Sequence, residues 1–149
     1  MKTVNEAFIE TLELHGLKEV PGNNDNPVII DLYKSLGHGW VKHDEVAWCA
    51  ALIGSKLLKY GYQVPELKYR LSARAYLNVN QKVETPVIGW DYVVFSRGND
   101  PVQGHVAWFI GFEGDYVKAL GGNQRDENNI TRFPKSSVLG YVRPINVNA

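Results

Sequence analysis

His105-Val106-Ala107-Trp108-Phe109-Ile110-Gly111-Phe112, then Glu113-Gly114-Asp115, then Tyr116-Val117-Lys118-Ala119-Leu120, reads as two β-strands joined by a tight turn. β-Branched and aromatic residues dominate both runs, and the Glu-Gly-Asp between them supplies turn chemistry. A hairpin implies antiparallel pairing. Working outward, Tyr92 to Ser96 and Leu139 to Val142 share this texture and read as further strands, so the second half of the chain is predicted to be sheet.

The first half follows a helical spacing instead. From Thr3 to His15, Val4, Ala7, Phe8, Thr11, Leu12 and Leu14 recur at three- to four-residue intervals, and Gly16 supplies a stop. Val20 to Pro27 is dense in turn residues, and Val28 to Leu36 resumes the helical period before Gly37-His38-Gly39. Asp44 is placed to cap a third helix running through Ala50, Leu52, Ile53 and Leu57 to Gly61, which puts Cys49 in its first turn. Ser72 to Leu77 reads as a short further helix. Helices followed by strands predict an α+β domain, and 149 residues without a repeat or a low-complexity segment predict a single domain, 1–149.

Sixteen Lys+Arg balance sixteen Asp+Glu, so nothing in the charge predicts a nucleic-acid partner or an anionic membrane surface. The first residues, Met1 to Ala7, include an acid and lack the apolar core of a secretory signal. No apolar run approaches the roughly 20 residues of a membrane span, and Ser55 and Lys56 interrupt the nearest candidate, Ala47 to Leu58. The expectation is a soluble chain made in the cytoplasm, without membrane insertion.

Cys49 is the sole cysteine, which excludes an internal disulfide and leaves no cysteine pair for a zinc site. At a helix start, unpaired backbone N–H groups and the positive end of the helix dipole favour thiolate over thiol, and the Cys49 N–H itself could serve an oxyanion hole. The other reading of Cys49 is a small buried hydrophobe among Ala50, Ala51 and Leu52. The order Cys49, then His105, then Asn123 is that of a thiol hydrolase, with nucleophile, base and an orienting amide. His105 opens an apolar strand, where burial tunes an imidazole for proton transfer or simply holds a structural histidine. Asn123 follows the neighbouring strand and offers an acceptor oxygen, Gln124 offers the same, and Gly121-Gly122-Asn123 is equally a turn signal. His15, His38 and His43 read as solvated, with His38 or His43 able to line a cleft. Trp40, Trp90 and Tyr92 read as groove or core aromatics.

Taken together, Glu19, Asn26-Pro27, Asp44-Glu45-Val46-Ala47-Trp48-Cys49-Ala50-Ala51, Ala73-Arg74-Ala75-Tyr76-Leu77, Gly89-Trp90-Asp91-Tyr92-Val93-Val94-Phe95, Gly104-His105-Val106 and Gly121-Gly122-Asn123-Gln124 form an ordered set. From about Glu19 to Arg143 it resembles the NlpC/P60 and CHAP superfamily of peptidoglycan-cleaving cysteine hydrolases, in particular its small phage-associated branch. The resemblance implies a papain-like fold, N-terminal helices on a small antiparallel sheet, with Cys49 as nucleophile, His105 as base and Asn123 as orienting residue. Gly89-Trp90-Asp91 departs by one inserted residue from the Gly-Asp usual at the start of the central strand, which sets Asp91 apart from these roles.

The implied substrate is an amide bond of bacterial peptidoglycan, within the stem peptide or between muramic acid and L-alanine. Neither a metal nor an organic cofactor is implied. A phage endolysin without a wall-binding module, released by a holin and acting as a monomer, fits this reading. The alternatives are an interbacterial toxin with an immunity protein, a papain-like hydrolase or deamidase of protein substrates, and a non-catalytic wall-binding module. The loops Gln63 to Arg70 and Asn99 to Gln103 are expected to shape the groove.

Overall fold

A computed structural model describes residues 4–18, 26–37, 48–124 and 127–148. Its helices are α1 (Val4–Glu13), α2 (Pro27–Ser35) and α3 (Cys49–Lys59). Its strands are β1 (Gln81–Val83), β2 (Tyr92–Arg97), β3 (Asp100–Glu113), β4 (Tyr116–Gly121), β5 (Asn129–Pro134) and β6 (Val138–Arg143). The chain is α+β, with helices leading and one antiparallel sheet following in the order β1-β6-β2-β3-β4-β5.

Local chemistry accounts for the boundaries. Asn26 caps α2 by accepting from the Val28 N–H at 2.9 Å, and Pro27 occupies the first helical turn, where its missing N–H costs nothing. The helix therefore begins one residue before the apolar period does. Helix α3 begins at Cys49 itself with Trp48 in the cap position, and Asp44 lies outside the described residues. The helix ends at Lys59 ahead of Gly61, whose φ of 81° suits a glycine stop. Ala73–Leu77 is a 3₁₀ helix, tighter and shorter than the α period suggests.

The hairpin of β3 and β4 turns through Gly114-Asp115, with Glu113 paired to Tyr116. Two strands have no counterpart in the sequence reading. Strand β1 is three residues, Gln81-Lys82-Val83, without an apolar pattern of its own, and it exists because β6 offers it a partner. Strand β5 is an edge strand that ends on Pro134 and alternates half-buried with exposed residues, with Ile130 on the exposed phase and Phe133 on the half-buried one, so it has no apolar alternation. In the segment Asn99 to Gln103, expected as a groove loop, residues 100–103 form the first part of β3 after a register shift between Ser96 and Arg97, and Val102 and Gln103 line a depression beside Cys49.

Alternation along the strands divides the core. Tyr92, Val94, Val106, Trp108, Leu120 and Val142 face the helices and pack against Phe8, Ala50, Ile53 and Leu57. Tyr92 is thus fully buried core rather than groove lining. The Trp108 indole donates to Thr11 Oγ1 at 3.0 Å and meets Phe8 edge-on, which ties α1 to the sheet. On the opposite face Val93, Phe95, Ala107, Phe109, Val117 and Ala119 form a second cluster. Phe95 on β2 stacks on Phe133 on β5 at 4.5 Å, although β3 and β4 stand between these strands. In a flat sheet at about 4.8 Å per strand they would lie about 14 Å apart, so the sheet curls over this cluster. The curl brings Phe133 of β5 to His105, which is the sixth residue of β3 rather than the residue that opens the strand.

Candidate active site

Cys49 is the first residue of α3, 5% exposed, at the end where the helix presents its unpaired N–H groups. Trp48 positions it. Its indole packs against Gly122, where a Cβ would stand 2.5 Å from the ring, so the glycine is needed for close approach. Gly121 serves the same junction, since a Cβ there would meet Ala107 at 2.7 Å and the Gln124 amide oxygen at 3.0 Å.

His105 lies on β3, buried, with its ring against the stacked Phe95–Phe133 pair at centroid distances of 6.1 and 5.2 Å. Its Nε2 lies 2.9 Å from Gln124 Oε1. The side-chain amide of Gln124 is oriented by its own partners. Its Nε2 faces the Ala119 carbonyl at 3.2 Å, the Asn129 carbonyl at 2.7 Å and Asn129 Oδ1 at 3.0 Å. Asn129 in turn donates to the Gln124 carbonyl at 3.0 Å and accepts from Thr131 Oγ1 at 2.7 Å. With acceptors around the amide nitrogen, the amide oxygen must be the atom presented to His105, and an amide oxygen only accepts. The imidazole Nε2 therefore carries the proton, and Nδ1 holds the lone pair of a base. The buried Nδ1 makes no well-formed hydrogen bond among the described residues.

The thiol lies within electrostatic reach of this imidazole. Burial pushes the Cys49 thiol up, but the charge of His105, its hydrogen bonding, the Val106 N–H and the charge of Arg97 outweigh burial and hold it below the ordinary thiol range. With Nε2 committed to Gln124, Nδ1 is the nitrogen left to serve the sulfur.

The geometry corrects one expectation. The amide bonded to His105 belongs to Gln124 rather than Asn123. Asn123 sits in the left-handed region at φ 60°, a conformation asparagine tolerates better than other residues with a Cβ, and it makes the turn that brings Gln124 under the ring. Asn129 and Thr131, which hold Gln124, lie on the strand without a sequence signal. Asp91 is fully buried and forms a two-point ion pair with Arg143 at 2.8 and 2.9 Å, while its Oδ2 also accepts from the Val87 N–H at 2.7 Å. That is a structural role away from the thiol. Trp90 is half exposed and lines neither depression beside the site, His15 is exposed, and Trp40, His38, His43 and Glu45 lie outside the described residues.

Two depressions flank the pair. One, about 350 Å³, is lined by Cys49, Ser72, Ala73, Val102 and Gln103 among others. The second, about 410 Å³, is lined by His105, Asn123, Gln124, Thr131 and Phe133. Arg97 borders both. Among the described residues no three His, Cys, Asp or Glu side chains converge as metal ligands, and no helix is long and apolar enough to cross a membrane.

No family model matches the chain, and no curated protein matches it. The chain is similar to the crystal structure of Ly7917 at 19% identity and a TM-score of 0.42, over 95% of this chain and 62% of that one. The chain thus spans less than two thirds of that protein, and a likeness at this level carries no argument about activity.

Proposed function

We propose that this chain is a cysteine-dependent hydrolase that cleaves an amide bond of bacterial peptidoglycan, with Cys49 as nucleophile, His105 as general base and acid, and Gln124 as the positioning residue. The observation that carries the reading is the His105–Gln124 bond, which fixes the imidazole in the tautomer that leaves Nδ1 available as a base, together with a thiol at Cys49 that the charge of the same histidine helps hold below its ordinary range. Helices packed on a curled antiparallel sheet, with the thiol at a helix start and the imidazole on a central strand, are consistent with a papain-like arrangement.

The chemistry follows from these positions. Nδ1 takes the thiol proton, and the sulfur attacks the amide carbon. The Cys49 backbone N–H, at the first helical position, can donate to the oxygen as it gains charge. The imidazolium returns its proton from Nδ1 to the departing amine, leaving a thioester. Water, deprotonated by Nδ1, then cleaves the thioester and restores the thiol. Gln124 keeps the ring in one orientation through both half-reactions.

The peptidoglycan substrate rests on the sequence resemblance, and so does the biological setting of a phage endolysin released by a holin. Incubating purified protein with sacculi, beside Cys49→Ala and His105→Ala, tests both mechanism and substrate. Wild type should release fragments whose masses name the bond, and each variant should release none while keeping its circular dichroism spectrum. Wild-type rates in folded Cys49→Ala would refute the mechanism. Cys49-dependent turnover of a protein but not of sacculi would move the substrate to the protein-directed class.

A further inference from the structure

The described arginines differ in what holds them. Arg70 donates to the Pro65 and Leu36 carbonyls, Arg74 to the Gln103 and Asp100 carbonyls, Arg132 to Glu113 and Arg143 to Asp91. The Arg97 side chain forms no ion pair or hydrogen bond among the described residues, yet it is the cation that borders both the Cys49 depression and the His105 depression.

Its placement is built rather than incidental. The register of β2 and β3 shifts between Ser96 and Arg97, so Ser96 pairs with Gly104 while Arg97 pairs with Asp100, and such irregularities re-aim side chains. The extra residues are braced on two sides. The Asp100 carboxylate accepts from the Val102 and Gln103 N–H groups at 2.8 and 3.2 Å, and Arg74 bonds the Asp100 and Gln103 carbonyls at 2.7 Å each. Gly104 lets this brace close, since a Cβ there would stand 2.8 Å from the Phe95 carbonyl and 3.0 Å from Arg74. No Asp or Glu is among the described residues lining either depression. Among the described lining residues Arg97 is the cation that an anionic group entering there would meet, and the guanidinium fork suits a carboxylate.

We propose that Arg97 anchors a free carboxylate of the substrate peptide beside the Cys49 thiol, making the enzyme selective for amides that have a carboxylate close by. The proposal rests on the hydrolase reading above for its substrate, but the anion site itself does not. Because Arg97 and Cys49 border one depression, and an extended peptide advances about 3.5 Å per residue, the carboxylate belongs within one or two residues of the scissile amide. Arg97 also acts on the thiol, contributing to its lowered pKa.

Two alkylating agents test the site without reference to any wall substrate. Iodoacetate carries a carboxylate next to its reacting carbon and iodoacetamide a neutral amide, and both consume the same thiolate. The ratio of their rates therefore cancels any change in thiolate population. The iodoacetate to iodoacetamide ratio at Cys49 should fall about tenfold in Arg97→Gln, with Arg97→Lys intermediate. An equal ratio in wild type and Arg97→Gln overturns the proposal. In parallel, stem peptides with the carboxylate nearest the cut either free or amidated should differ in KM for wild type and not for Arg97→Gln. An amidation effect of the same size in both proteins also overturns it. If wild type cleaves no stem peptide while the alkylation bias persists, the wall-hydrolase reading falls and the anion site stands.

Discussion

Asn123 and Gln124 are adjacent carboxamides with different tasks, and substitution separates them. Gln124→Ala frees the His105 ring to rotate and lets the proton sit on either nitrogen, so kcat should fall about a hundredfold with little change in fold. Asn123→Ala leaves that bond in place and forces a Cβ-bearing residue without a compensating polar side chain into φ 60°, so it should cost about 1 kcal/mol of stability and far less activity. Urea midpoints read beside turnover check both. The pH dependence of Cys49 belongs to the same scale. Because the thiol is held below its ordinary range, iodoacetamide should react at half its limiting rate at a pH below that of a free cysteine. In His105→Ala the imidazole's charge and hydrogen bond are gone while burial remains, so the midpoint should move upward. A midpoint unchanged by the substitution would separate the histidine from the thiol.

At the scale of elements, the site depends on how closely α3 approaches the sheet and the 3₁₀ segment beside it. Glycines set that distance. Gly122→Ala puts a methyl 2.5 Å from the rigid Trp48 ring, which adjoins Cys49, so relief requires moving the start of α3. We expect a loss of about 1–3 kcal/mol, measured as a shift in urea midpoint, together with reduced turnover from the displaced nucleophile. Farther along α3, the Tyr76 hydroxyl occupies the space a Cβ at Gly54 would need and donates to the Arg70 carbonyl at 2.8 Å. That contact fixes the 3₁₀ segment, whose first residue Ala73 and preceding Ser72 line the Cys49 depression.

For the molecule as a whole, the Asp91–Arg143 pair adds a side-chain tie to the ladder that joins β2 to β6. Asp91 has no exposure, and Arg143 is partly solvated. Asp91→Ala removes two charge-assisted bonds and the acceptor of the Val87 N–H, so it should cost about 2–4 kcal/mol while leaving the Cys49 alkylation profile intact. Thermal unfolding and alkylation measured on the same sample check the two halves of that statement. A change in alkylation at unchanged stability would reassign Asp91 to the site.

The sequence by itself determined what local chemistry controls. Periodicity, caps and turn residues were enough for three helices, four of the strands, the β3–β4 hairpin and the α+β order, and the residue types marked Cys49 and His105. Strands β1 and β5 were not legible, because Gln81-Lys82-Val83 and the Asn129–Pro134 run have little apolar pattern of their own and pair only because a neighbouring strand edge is offered. The choice of Gln124 over Asn123 lay outside the sequence for a related reason. Both carry the same functional group, and which one reaches the imidazole depends on a left-handed turn at Asn123 and on acceptors at Ala119 and Asn129. Arg97 stands beside Gly98-Asn99, a turn signal that would place it at a strand end, but its position between the two depressions required the register shift. Tertiary structure decides such matters because an amide, a guanidinium or a thiol acquires its function from the few ångströms around it, and those neighbours come from distant parts of the chain.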